Sequence, residues 1–303
     1  MAFALKRGRG VGFELRRLLE HQLHVASDAL HGDADDVRSA RRRLKKARAI
    51  LQAAQPALGD VCSSIDRQLR RAGHLLTPVA DADAVIRTLD ALRGFVRARL
   101  PDDQIALLRT ALGREAARLR DGSADVSERV IRILTKQREA LEEFDSAACG
   151  VHSMAGAVRR ARRNARAARR HAFAHPTTAA FHAWRRRVKT EWYLLRLLDD
   201  VSGHRLIDDE RRLEQLDGCL GQLNDLAVLQ NYVRERSPLP RSDTARALMA
   251  IRGSARDLKR HTRLLAGALD EAPRQLEERV LALWLSPRPR IEAVEGEACL
   301  SAA

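Results

Sequence analysis

The sequence predicts an all-α protein, and three observations carry that reading. Arg, Ala and Leu dominate a 303-residue chain with only 4% aromatics, a mixture that favours helices over strands. Apolar residues recur at helical spacing almost throughout, and no β-rich run competes. A stretch beginning at Val37 recurs at Phe181, an offset of 144 residues. Hydrophobic residues make up 45% of the chain, enough for a sizeable core and too many for a disordered chain.

The elements follow in order. Leu15, Leu19 and Leu23 mark a first helix. Asp36 is placed to cap a second over residues 37–55, stopped by Pro56. A third is expected over 57–76. Pro78 and Asp81 punctuate before a fourth over 82–100, which Pro101 ends. Helices over 102–120 and 127–147 follow, with breaks at Gly122 and Gly150. The second half opens with a helix over 153–173, turns and caps at His175-Pro176-Thr177-Thr178, and continues as a long helix over 179–199. Further helices are expected at 205–220, 225–236, 243–268 and 273–285, with Pro238 and Pro240 in a loop. The division this suggests is an extension over 1–9, a first bundle over 10–150, a second over 151–285 and a flexible tail over 286–303.

Charge sets the class of partner. Lys and Arg number 55 against 40 Asp and Glu, a net +15, so the chain attracts polyanions. No run of 18 uncharged apolar residues occurs, so no transmembrane helix is expected. Residues from Met1 to Lys6 lack the apolar centre of a signal peptide. Cys62, Cys149, Cys219 and Cys299 form no CxxC and stand at no metal-ligand spacing with histidine, as in a reduced, cytoplasmic chain.

The repeat pairs VRSARRRLKKARAIL from Val37 with FHAWRRRVKTEWYLL from Phe181. In that register Arg41, Arg42, Arg43 and Lys45 meet Arg185, Arg186, Arg187 and Lys189, and Asp81 meets Asp225. The expected architecture is two similar helical bundles in one pseudo-twofold body. On a helical wheel Val37, Ala40, Leu44, Ala47 and Leu51 form one apolar face, while Arg38, Arg41, Arg42 and Lys45 fall within an arc of about 100° beside it. Arg43 and Lys46 lie on the far side and read as solvent-facing. In the second copy His182, Arg185, Arg186 and Lys189 form the stripe, with Tyr193 one turn further on; Arg187 sits apart, and Glu191 interrupts the apolar side as a partner for an arginine. The helix from Ser153 gathers Arg159, Arg163, Arg166 and Arg170 in a strip about 60° wide, opposite a face of alanines and broadened by Arg160, Arg162 and Arg169.

Two readings of these stripes compete. One is a solvated surface balanced by acids such as Glu139, Glu142, Glu143, Asp208, Asp209 and Glu210. The other is a polyanion groove, for which arginine suits because its guanidinium forks across two phosphate oxygens and stays charged. Few aromatics are interleaved with the arginines apart from Tyr193 and Trp192, so a stacking platform for bases is thinly supported. Basic side chains on rigid helices favour a ligand made of phosphate alone. A hydrolase would need acids for Mg²⁺ or a nucleophile. Asp81 and Asp83 are the nearest carboxylate pair, the second copy lacks one of them, and both Asp81 and Asp225 read as helix caps or arginine partners. No Walker loop, HExxH or GxSxG occurs. His21 and His24 share a helical side without a third ligand. No metal, cofactor or catalytic residue is expected.

The segment FHAWRRRVK from Phe181, with Trp192-Tyr193 after it, resembles the signature helix of the CHAD domain family, a histidine-containing α-helical domain. LGQLNDLAVL, from Leu220 to Leu229, resembles its second signature, LLTPVADADAVI from Leu75 its first-half version, and AVRRARRNARAARR its preceding basic helix. The resemblance covers roughly residues 10–285. It implies two pseudo-symmetric, duplicated four-helix bundles around a basic central cleft, binding of inorganic polyphosphate and association with polyphosphate granules or polyphosphate-metabolising enzymes. The family pattern maps onto Arg38, Arg41, Arg42 and Lys45 in the first copy and onto His182, Arg185, Arg186 and Lys189 in the second. Arg38 stands where the family often has histidine, which weakens metal chelation and keeps charge complementarity. Nucleic acid is expected only as a weaker competitor. A nucleic-acid-binding helical protein and a polyphosphate or phosphate-ester hydrolase are the alternatives.

Overall fold

The computed structural model describes residues 3–31, 34–92 and 100–286, with the side chains of 34–36 excepted. The described residues form ten α-helices: α1 Val11–Asp28, α2 Ala34–Leu75, α3 Thr77–Ala91, α4 Asp102–Asp121, α5 Ala124–Glu139, α6 Val151–Ala174, α7 Thr178–Leu197, α8 Ile207–Arg236, α9 Arg241–Leu265 and α10 Pro273–Leu285. None is long and apolar enough to cross a membrane.

Local chemistry explains most of the boundaries. The Thr177 hydroxyl accepts from the Ala180 amide at 3.2 Å and caps α7. Asp102 and Asp103 open α4 and Arg118 and Arg120 close it, in the sense the helix dipole favours. Pro273 begins α10, where its missing N–H costs nothing.

Three expectations about the helices need correction. The second helix does not stop at Pro56. It runs on to a kink at Gly59, whose φ of 49° and ψ of −127° lie outside helical space. Pro56 has no N–H to offer the Gln52 carbonyl, and Arg160 Nη2 donates to that carbonyl at 3.3 Å instead. Asp225 does not cap a helix, because 207–236 is one continuous helix with Asp225 inside it. Likewise α3 starts at Thr77, absorbs Pro78 in its first turn and places Asp81 in its second turn. Asp36, expected as a cap, lies inside α2 with its side chain outside the described residues, as do 93–99 at the expected end of the fourth helix and 287–303 of the tail.

A shift of 144 residues relates the helices as well as the motifs. It carries α6 onto residues 7–30 around α1, α7 onto 34–53 in the first limb of α2, and α8 onto 63–92, the second limb plus α3. It carries α9 onto 97–121 around α4, and α10 onto 129–141, overlapping α5.

The apolar residues gather in two cores, each drawing on both halves of the chain. The larger takes α1, α2, α5, α6, α7, α10 and the start of α8. Trp184, Val188 and Leu195 of α7 are completely buried there, each worth about 1.5–3 kcal/mol in removed apolar surface. The smaller joins α3, α4, α9 and the end of α8 through Val85, Leu108, Leu229, Val233 and Ile251. Helix α8 spans both. Residues before α1 pack too: Phe3 meets the Tyr193 ring edge-on at 5.9 Å, and the Leu5 amide donates to the Leu197 carbonyl at 2.8 Å.

Candidate functional site

In the larger core α2 and α7 pack against each other. Their apolar faces seat them in the core, so the stripes beside those faces meet at the seam. Lys45 is the centre of the result. Its side chain is exposed to water, but neighbouring protein strips part of its hydration. Burial, then the nearby Lys189, Arg41 and Arg185, drive its pKa down to about 7, opposed only by Asp217.

Each neighbour has its own anchor. Arg41 Nη1 donates to Asp81 Oδ1 and its Nη2 to Thr77 Oγ1, both at 3.3 Å. Lys189 Nζ lies 2.7 Å from Asp217 Oδ2, and Arg185 Nε donates to Asp217 Oδ1 at 3.4 Å. Gly221 of α8 makes room for Arg185: a Cβ there would stand 2.8 Å from Arg185 Nη2. His182 Nδ1 and Asn224 Oδ1 are 2.7 Å apart, and Asn224 Nδ2 donates to Asp225 Oδ1. That chain assigns the ring proton to Nδ1 and leaves Nε2 as the free nitrogen. Burial, with Arg186, Arg185 and Lys45, lowers the His182 pKa, while the Asn224 contact raises it. Arg38 and Arg42 are exposed and, among the described residues, have no hydrogen bond or ion pair. Arg186 is exposed as well; burial and then the charges of Arg187, Arg48 and Arg70 lower its pKa.

The structure therefore gathers Arg41, Lys45, His182, Arg185 and Lys189 at one seam, with Arg186 at its His182 end. Arg42 joins them on the other side, where its charge reaches Lys189 and Tyr193. Tyr193 is not a surface residue, contrary to expectation. It is 2% exposed, stacked on Trp192 at 5.1 Å and met by Phe3. It backs Lys189, whose ammonium sits 6.0 Å from the ring centroid, because its position one turn beyond Lys189 turns it into the core. Lys46 is also not simply solvent-facing: it lies 4.6 Å over the Phe3 ring, and burial with nearby arginines lowers its pKa to about 8.

The α6 arginines take a different course. Arg159 pairs with Glu277 at 3.0 Å and Arg166 donates to the Glu271 carbonyl at 3.4 Å, while Arg163 is exposed. Arg162, expected on the charged side, is fully buried against Glu191, equally buried on α7. Val158, Ala161, Arg162 and Ala165 share one inward stripe, so Arg162 occupies a core position opposite the acid that breaks the α7 stripe. Two of the acids offered as surface balance are engaged elsewhere: Asp209 pairs with Arg279 at 2.9 Å and Asp208 with Arg211 at 3.6 Å.

Sequence reading missed Asp217, Thr77 and Gly221. Asp217 is the acid on α8 that holds two stripe cations, and one lone acid among many carries no motif. Asn224 was visible in LGQLNDLAVL, but as part of a turn; its i, i+1 relation to Asp225 within a helix gives it the His182 role. Among the described residues no group of three or more His, Cys, Asp or Glu could hold a metal ion. Asp81 is taken by Arg41 and Asp225 by Asn224.

The comparisons with known proteins agree on one family. The model of the CHAD domain matches residues 13–234. The crystal structure of the CHAD domain from the plant Ricinus communis superposes with a TM-score of 0.61 at 16% identity, covering 96% of this chain and 97% of that one. No curated protein matches the chain.

Proposed function

This chain belongs to the CHAD domain family, and from that premise we propose that it binds inorganic polyphosphate electrostatically at the seam of α2 and α7, without catalysis. Lys45 is the single observation that carries the reading. It is an ammonium crowded by Lys189, Arg41 and Arg185, with the shared Asp217 as the one acid that favours its charge. A bound chain of phosphates supplies the missing negative charge. The helices paired by the 144-residue shift support two duplicated halves presenting like stripes to one cleft.

The contacts we assign are Arg38, Arg41, Arg42 and Lys45 from α2, and His182, Arg185, Arg186 and Lys189 from α7. Tyr193 supports Lys189 from behind. Arg159, Arg163 and Arg166 of α6 form an outer flank with a smaller share, because Glu277 and the Glu271 carbonyl already occupy two of them. Binding displaces counterions, so it falls steeply with salt; by analogy with DNA, six to ten phosphate contacts would cost about 10³ to 10⁵ in affinity between 50 and 200 mM salt. We place the protein in the cytoplasm at polyphosphate granules, in company with polyphosphate-metabolising enzymes or granule proteins.

Nucleic acid is the weaker competitor on this reading. The two aromatics nearest the stripe, Trp192 and Tyr193, stack on each other, and Lys189 and Arg196 lie 5.7 and 5.4 Å from the Trp192 centroid. That leaves no open platform for bases. The deciding experiment is a competition titration: labelled long-chain polyphosphate at about 150 mM salt, challenged by single- and double-stranded nucleic acid at equal phosphate. Polyphosphate is expected to win by about tenfold or more, 1.4 kcal/mol. Equal competition would sink the selective reading.

A further inference from the structure

The kink of α2 at Gly59 folds its two limbs toward each other and leaves a crevice between them. Arg48 and Gln55 line it from the first limb, Arg67 and Arg70 from the second, and Arg187 reaches in from α7. Asp66 accepts from Arg48 Nε at 2.7 Å and from Arg70 Nη2 at 2.8 Å. Burial pushes the Asp66 carboxyl up, but these two guanidinium groups pull it below its ordinary range, so its charge is spent on them. Arg67 and Arg187 are exposed and have no hydrogen bond or ion pair among the described residues. The crevice thus holds four guanidinium groups against one carboxylate.

Arg186, next to the crevice-lining Arg187, stands between the crevice and the central seam. Arg186 feels the charges of Arg187, Arg48 and Arg70 on one side and acts on His182 on the other. Arg48 lies about 4.5 Å beyond Lys45 along the α2 axis, and Arg67, Arg70 and Arg187 carry the positive lining on from there. The crevice's counterpart at the other end of the seam is weaker: in the 144-residue register Arg67 meets Arg211 and Arg187 meets Arg43, but Arg48 and Arg70 meet Trp192 and Glu214.

We propose that this crevice is a second phosphate subsite, filled only by chains long enough to run from the seam past Arg186, and that the protein thereby selects long polyphosphate over short. The inference rests on the seam being a polyphosphate site. Its guanidinium groups would take the phosphates bidentately, and each engaged crevice residue adds contacts that a short ligand cannot reach.

The test is the Arg67→Ala, Arg187→Ala double variant of the full chain, titrated calorimetrically with tripolyphosphate and with long-chain polyphosphate. Both side chains are exposed and unpaired, so the fold is expected to survive, which circular dichroism checks. Long-chain affinity is expected to fall about tenfold or more, 1.4 kcal/mol, with tripolyphosphate binding at the seam unchanged. An unchanged long-chain affinity, or equal loss for both ligands, overturns the proposal. A parallel Lys45→Met, Lys189→Met variant separates the two claims. If it loses tripolyphosphate, the seam reading stands whatever the crevice does. If it keeps both ligands, the seam reading falls, and with it the claim that the crevice extends the seam, even where the crevice variant loses the long chain. Wild-type protein that binds neither ligand overturns both.

Discussion

Two arginine-rich faces of this molecule look alike in the sequence and are handled in opposite ways by the fold. On α6, Arg159, Arg162 and Arg169 meet Glu277, Glu191 and Asp270, and Arg166 meets a carbonyl. At the seam of α2 and α7, Asp81 and Asp217 are the acids, while Arg38, Arg42, Lys45 and Arg186 have no ion pair among the described residues. A run of basic residues is therefore no measure of a binding surface. What matters is how much of its charge the rest of the fold has already answered.

The largest expected effect breaks the compensated face. Arg162→Met leaves Glu191 buried and alone, and should destabilise the protein by about 3–5 kcal/mol in denaturant unfolding, whereas adding Glu191→Met should restore most of that loss. A double variant as unstable as the single one would mean that the pair does not act as a unit.

Next comes the uncompensated face. Lys45→Met is expected to weaken polyphosphate binding by about tenfold or more, 1.4 kcal/mol, while raising the unfolding temperature, since it removes a crowded ammonium. Loss of stability together with affinity would contradict the picture of an unanswered charge.

The pH profile sharpens the same contrast. Folding depresses the Lys45 pKa from 10.5 to about 7, so between those values the unfolded chain holds more protons. The contribution of Lys45 to stability therefore rises with pH across that window. Binding runs the other way: polyanion favours the ammonium, so affinity should be highest below about pH 7 and decline above it, with His182 adding a further gain only at more acidic pH, because its own pKa is lowered. A flat binding profile from about pH 5.5 to 8 would remove both residues from the mechanism.

Two smaller effects mark the edges. Arg159→Ala with Arg166→Ala should reduce affinity only a few-fold, about 1 kcal/mol or less; a loss matching that of Lys45→Met would promote α6 to a full partner. Gly221→Ala should leave stability nearly unchanged, since the group it meets is the mobile end of Arg185, and lower affinity by a similarly small factor. Unaltered affinity would show that the Arg185 position beside Asp217 is immaterial.

Much of this was legible in the amino-acid text. Helical periodicity places most helix ends to within a few residues, though it divides both α2 and α8 in two, and the RRR-x-K pattern with the 144-residue offset marks the two helices that form the seam. The misreadings share a cause. Pro56, Asp81 and Asp225 look like punctuation because proline and aspartate are common at helix ends, but tertiary packing holds the helices through all three. Arg162 and Tyr193 look like surface residues by type, and only the identity of the facing positions, Glu191 and Phe3, turns them inward.

By itself the sequence determined the helical fold class, the net positive charge and which residues share a helix face, because those depend on composition and on periodicity along one helix. Tertiary structure decided which positive charges remain unanswered. Asp217 reaches Lys189 from 28 residues away and Glu191 reaches Arg162 from 29, and charge compensation depends on distance through space, which no one-dimensional spacing records.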